Sequence, residues 1–308
     1  ISNVACELGL RMRELSSFRP GGLKSRLKNV LAGSGTMGML SLGLYHWARM
    51  VKKGSSPRKY LGPRPQRMPD SDSLLFVSYF PAVDKDAAHE GLFRNKFALS
   101  LQEKLSKMRI PIIWLLITVP FDGYNYHDSV QLAGKFAEKG EKLFIIEEFL
   151  TVRDALKGLL LWLKQLWVSR YLFRHLKREC LLSEPIGKAC EPFVKDLWGL
   201  SFYGPVGIEG ILYALIFRKV FSEISQISGC LYMCEMLAWE KTLNAARDYI
   251  CPGVKTIGFQ HSSVSRNDLS YFYDKSETAR TGNVSDMPLP DALACNGGHI
   301  HALLAECG

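Results

Sequence analysis

Apolar residues in this chain fall into short continuous runs, separated by stretches in which apolar positions recur at helical spacing. Leu74–Phe80 (LLFVSYF), Ile112–Thr118 (IIWLLIT) and Leu143–Ile146 (LFII) have the length and composition of strands buried on both faces. Between them, Gly91–Met108 sets Phe93, Phe97, Leu101 and Leu105 on one helical stripe, and a second helix is predicted from about His127 to Glu138. The alternation resumes later. Cys230–Cys234 is a short apolar run that stops at Glu235, and 236–250 has Leu237, Leu243, Ala246 and Ile250 facing one way. Pro252-Gly253 breaks that helix, and Val254–Phe259 then delivers Gln260 and His261. A sixth run, Ala292–Cys295, ends at Asn296-Gly297. Repeated strand–helix–strand order predicts an α/β fold, a Rossmann-like parallel sheet with helices on both faces.

The sheet pattern is interrupted at 151–228, which reads as a helical insertion: one long helix over Thr151–Arg178, then helices over 186–198 and 207–227. The long helix holds seven Lys and Arg and one acid, Asp154, among Trp162, Trp167, Tyr171 and Phe173. A basic, aromatic-rich amphipathic helix can lie on a membrane surface, or it can pack with a basic outer face. ILYALIF, in the last helix, is apolar enough to be buried or membrane-facing. The expected organisation is a basic lead-in over 1–70, partly helical (Leu23–Leu31, Met37–Val51) or disordered. A Rossmann-like domain over 71–290 follows, and 291–308 begins a second domain or an interdomain crossing. The chain starts at Ile1 and stops where a further strand should follow, so a piece of a longer protein is expected.

Composition narrows the class. An apolar fraction of 47% with 22% charged residues is that of a globular chain, neither disordered nor membrane-spanning. The eight cysteines form no C-x-x-C pair, which predicts reduced core cysteines rather than a disulfide framework or zinc site. The net charge of +9 is lopsided: residues 1–67 carry thirteen Lys and Arg against two acids, and the remainder sums to −2. The basicity therefore belongs to the lead-in, and no nucleic-acid partner is expected of the domain. Gly33-Ser34-Gly35-Thr36-Met37-Gly38 fits a G-x-G-x-x-G phosphate loop in letters only, because no strand precedes it and no acid lies between Glu14 and Asp70.

The candidate chemistry is positional. Each predicted strand meets its polar residues at its C-terminal end: Tyr79, Asp122 beyond Thr118, Glu147-Glu148, Glu235, Gln260-His261 and Asn296. Open parallel sheets bind ligands along that edge. His261 is the candidate general base or phosphate partner, with Glu235 holding its other ring nitrogen. Gln260, Ser262 and Ser263 could meet phosphate oxygens, Asp122, Glu147 and Glu148 a polar acceptor, and Asn296 the same cleft. The competing reading of Glu235 is an acid at the start of the next helix. Trp239 and Glu240 read as packing and solvation. His299 and His301 fall near 200° apart on a helix, and no metal site is expected.

CEMLAWEKTLNAARDY, GFQHSSVSRNDLSYFYD and PLPDALACNGGHIHALLAECG together resemble a family of bacterial surface-carbohydrate biosynthesis proteins. The acid followed by a Trp-Glu helix, and the Gln-His after the next strand, also look like capsule glycosyltransferases and teichoic-acid polymerases of GT-B architecture. Those relatives carry Gln-His-Gly where this chain has Gln260-His261-Ser262. The resemblance implies a sugar transferase of capsule or O-antigen assembly, cytoplasmic or peripheral on the inner face of a bacterial membrane. Its expected partners are a nucleotide-sugar donor as substrate, no cofactor, and a glycan or lipid-linked acceptor. A second Rossmann-like domain after Gly308 would supply most of the donor site. The alternatives are a non-catalytic, membrane-associated polysaccharide assembly or binding protein, and a nucleotide-sugar epimerase.

Overall fold

The computed structural model describes residues 35–69, 71–121, 123–181, 185–261, 264, 271, 280–281, 284–285 and 287–305. The expected helix at 23–31 lies outside them. The helices are α1 (Gly35–Ser55), α2 (Arg58–Leu61), α3 (Lys85–His89), α4 (Leu99–Lys107), α5 (Tyr126–Glu138), α6 (Val152–Leu176), α7 (Pro185–Trp198), α8 (Pro205–Glu223), α9 (Ala238–Ile250) and α10 (Gly298–Ala305). The strands are β1 (Ser73–Phe80), β2 (Ile112–Thr118), β3 (Leu143–Ile145), β4 (Ile227–Met233), β5 (Lys255–Phe259), the two-residue β6 (Arg280–Thr281) and β7 (Val284–Ser285), and β8 (Ala292–Ala294). β6 and β7 pair antiparallel, apart from the main sheet.

The six apolar runs form one all-parallel sheet in the order β3-β2-β1-β4-β5-β8. The chain moves outward from β1 to β3 and returns on the other side of β1 with β4. The C-terminal ends of β1 and β4 therefore flank the switch point, where such sheets open a crevice. One face of the sheet carries Phe76, Phe80, Trp114, Leu116, Leu143, Ile145, Leu231 and Met233 in a single core with Phe93, Ala133 and Phe136. Alternation sends Tyr79, Tyr232 and Gln260 to the other face. There Tyr232 accepts a hydrogen bond from Asn244 of α9 at 3.0 Å, and Trp239 of α9 packs on Phe217 of α8. Gly258 is needed for close approach in β5, because a Cβ there would sit 3.1 Å from both Cys234 Sγ and Leu293 Cδ1.

The predicted helix over 91–108 is shorter than its apolar stripe implies. Asn95 is the reason. Its side chain donates to Ser78 Oγ (2.7 Å) and accepts from Phe97 N (3.0 Å), and its own N–H goes to Gln102, which leaves 91–98 as a strap over β1. The apolar run of α8 is spent in the core, with Ile208, Leu212, Tyr213, Ile216, Phe217 and Val220 all buried. Among the described residues no single helix is long and apolar enough to cross a membrane; α7 with its extension to Tyr203, taken together with α8, reaches that composition as a bent pair. Cys190, Cys230, Cys234, Cys251 and Cys295 are free thiols.

Two compact units divide the chain, and α1, α6 and α8 each run across the division. The smaller comprises, of the described residues, 35–45 and 169–207. In it Trp198 stacks on Phe202 with ring centroids 4.2 Å apart, and Lys177 pairs with Glu191. The larger, 46–168 and 208–308, holds the sheet. Two ion pairs fasten its edges, the first of them buried. Arg67 pairs with Glu148 after β3 and also donates to Leu143 O. Arg247 of α9 pairs with Asp291 (2.9 Å), which also accepts from Thr256 N and Thr256 Oγ1 and pairs with Lys255, and so holds β8 beside β5.

Arg67→Ala strands the Glu148 carboxylate, which burial already pushes above its ordinary pKa against the pull of Arg67. A loss of about 3–5 kcal/mol is expected from urea denaturation. The double change Arg67→Met with Glu148→Leu should recover most of it. A loss under about 1 kcal/mol for Arg67→Ala would show the pair to be without structural weight.

Candidate active site at the switch point

The turn after β4 is built by Glu240. Its buried carboxylate accepts the backbone N–H groups of Glu235 (2.8 Å), Met236 (3.0 Å) and Leu237 (3.2 Å). Those N–H groups precede and open α9, so one side chain satisfies donors that the helix cannot. The grip also holds Met236 at φ 57°, a left-handed value that a non-glycine residue adopts only when its surroundings impose it. The chain thereby turns sharply at the top of β4, and Glu235 is set over the sheet edge.

His261 arrives from β5. Its Nε2 lies 3.4 Å from Glu235 Oε1, and the ring packs on Phe97 from the strap, with centroids 4.7 Å apart. From the other face of the sheet, Tyr79 OH donates to Glu235 Oε2 at 3.3 Å, and Trp239 Nε1–H donates to Tyr79 OH at 3.2 Å. Four side chains from β1, the β4 turn, α9 and β5 thus meet over the boundary between β1 and β4. Burial lowers the His261 pKa from its ordinary value of 6.5, and the Glu235 charge opposes that in part. Burial therefore favours the uncharged imidazole. Nε2 faces Glu235 within ion-pair distance, while Nδ1 is buried and has no hydrogen-bond partner. Burial, reinforced by Glu235 and Glu240, drives the Tyr79 hydroxyl well above its ordinary pKa, so it stays a donor. This is the arrangement of a general base oriented by a carboxylate.

The other predicted residues are placed as follows. Gln260 is fully buried; its Oε1 accepts from Asn296 N at 3.0 Å, which fixes the carboxamide and leaves Nε2 without a partner. Asn296 itself is exposed at the start of the loop into α10. Glu147 and Glu148 are buried in ion pairs. Glu147 takes Lys53 Nζ at 2.9 Å and Thr118 Oγ1 at 3.3 Å, while Glu148 takes Arg67 and Ile145 N. Both acids are taken up by structure, and Glu147 Oε2 is buried without a partner. Asp122, Ser262 and Ser263 lie outside the described residues. Tyr79 was named in the sequence only as a strand end, and Phe97 and Trp239 only as packing residues; all three are members of the cluster. Glu240 is the residue that sequence reasoning misjudged, because the usual capping signature has Ser or Thr where this chain has Leu237.

A cavity of about 860 Å³ opens elsewhere, between the segment after β1 and α5, and is lined by Lys85, His89, Glu90, Tyr124, Asp128 and Lys135 among others. None of the described candidate residues lines it. Its charges are mixed, and it holds no oriented acid–base pair, so the switch-point cluster is the better candidate for chemistry. Among the described residues no three His, Cys, Asp or Glu side chains gather as a metal site. The chain matches no family model, no curated protein and no solved structure.

Glu235→Gln should lower the His261 pKa further, since it removes the one charge that raises it. NMR titration of the imidazole reads this directly, and a pKa that rises would contradict the geometry. Stability has a matching sign. A histidine titrating lower in the folded than in the unfolded chain contributes stability that is present above about pH 6.5 and is lost as pH falls toward the folded pKa. Glu240→Ala should cost about 1–3 kcal/mol in denaturant and should uncouple His261 from Glu235.

Proposed function

We propose that this protein is a glycosyltransferase of GT-B type, moving a sugar from a nucleotide-activated donor to a surface-polysaccharide acceptor, with His261 as the proton acceptor. The observation that supports it is the Glu235–His261 pair at the switch point of a 3-2-1-4-5-type sheet, with the buried Nδ1 unpartnered. In such a transfer an acceptor hydroxyl attacks the anomeric carbon, the bond to the nucleoside diphosphate breaks, and the hydroxyl proton must leave. In this reading ligand entry uncovers the buried Nδ1 of His261, which takes that proton, and the neighbouring Glu235 stabilises the imidazolium that forms. Tyr79 and Trp239 keep the Glu235 carboxylate aimed. The donor is a substrate here, and the reading calls on no cofactor. In this reading the described sheet carries the acceptor, a further Rossmann-like domain carries the donor, and the protein works peripherally on the inner face of a bacterial membrane.

In the complete protein, His261→Ala should lower kcat for sugar transfer by about 10²–10⁴-fold while far-UV circular dichroism stays unchanged. The rate should hold through neutral pH and fall only as pH drops through the His261 pKa, below 6.5. Glu235→Gln should move that acid limb to lower pH. Undiminished turnover by His261→Ala removes the assignment.

A further inference from the structure

α6 is apolar on both of its faces, and only one of them is used. Its inner face is settled by contacts within the larger unit. Ala155 and Trp162 are buried, Gly158 lies so close to Leu212 of α8 that a Cβ would come within 2.7 Å of it, Ala155 O accepts from Trp47 Nε1, and Asp154 is paired with Lys219. The outer face of a helix packed in this way is ordinarily polar. Here it carries Leu156 (52% exposed), Leu160 (68%), Leu163 (49%) and Trp167 (78%), spaced 4, 3 and 4 residues apart on one stripe. Exposed Arg153, Lys157 and Lys164 run beside the stripe, and Asp154, the lone acid of this stretch, is turned inward to Lys219.

We infer that this outer face of α6, from Val152 to Trp167, is a docking surface for an anionic lipid bilayer. The helix lies flat, with the leucines and the indole in the acyl boundary and the three bases among the lipid phosphates. Three features point to that occupant. The stripe is continuous over three turns, about 16 Å, on a face whose other side is packed in the protein, so it can only lie along an interface. The tryptophan belongs at the boundary between apolar and hydrated regions. The flanking charge is of one sign, complementary to an anionic surface, whereas a second copy of the same helix would bring like charges together. The inference gives the peripheral placement proposed above a surface and a lipid class. It does not depend on the transfer reaction.

Vesicle co-sedimentation of the full chain tests it, using phosphatidylcholine with about 30% phosphatidylglycerol against phosphatidylcholine alone. The expected result is binding at least about tenfold tighter to the anionic vesicles and weakened by salt. Leu160→Glu with Trp167→Glu should lose binding, with far-UV circular dichroism and the denaturation midpoint unchanged. Lys157→Glu with Lys164→Glu keeps the apolar stripe and should lose the preference for anionic vesicles. Transfer to a water-soluble acceptor should be the same in both double variants, so failure of docking and failure of the transferase reading are told apart. Equal binding to neutral vesicles, or no binding to either, would overturn the inference. So would a concentration-dependent dimer in light scattering that Leu160→Glu dissolves, which would give the stripe to a second copy of the chain.

Discussion

A parallel sheet covered on both faces leaves its strands one place for polar side chains, their ends, and this constraint shapes the molecule. β1, β2 and β3 are buried almost without interruption, and the chain becomes polar only where each strand leaves the core. The strand order then brings the ends of β1 and β4 together, so that Tyr79 and Glu235 are within hydrogen-bond reach although 156 residues separate them. The site follows from sheet topology, and the Glu240 grip on the turn after β4 makes it exact enough for His261 to meet Glu235.

How much of this was readable in the sequence depended on whether the cause was local. Continuous apolar runs are a local signal, and they located the six strands and the Rossmann-like sheet. The polar ends of β4 and β5 were legible for the same reason, and Glu235 and His261 do meet. Long-range partners were not legible. Nothing near Glu148 in the sequence says that Arg67 neutralises it, so a buried ion pair and an open binding carboxylate look alike in a run of letters. Phe97 sat on a good helical stripe, yet Asn95 captured the backbone around it and turned the stretch into a strap whose ring covers His261. Glu240 looked like a solvated helix residue because its grip is on the backbone, which carries no sequence signature.

The acids of this sheet edge occupy two electrostatic settings. Glu148 is sealed with a guanidinium, where a charge is held for structure and removal of its partner is costly. Glu235 remains about a third exposed beside His261. A group in that setting can respond to a proton arriving next to it, and the sealed pair cannot. This difference, more than the count of polar residues, separates the candidate chemistry from the scaffold. It also outweighs the cavity beside α5, which has volume without an oriented acid–base pair among its described residues.

The central claim is that ligand meets the protein at His261. Imidazole NMR of the complete protein, recorded while a nucleotide sugar and a soluble glycan acceptor are titrated in, tests it most directly because His89 lines the competing cavity and serves as an internal reference. The account predicts that the His261 resonances shift and that its pKa changes on saturation, with His89 unmoved. Shifts at His89 with a silent His261 would contradict it.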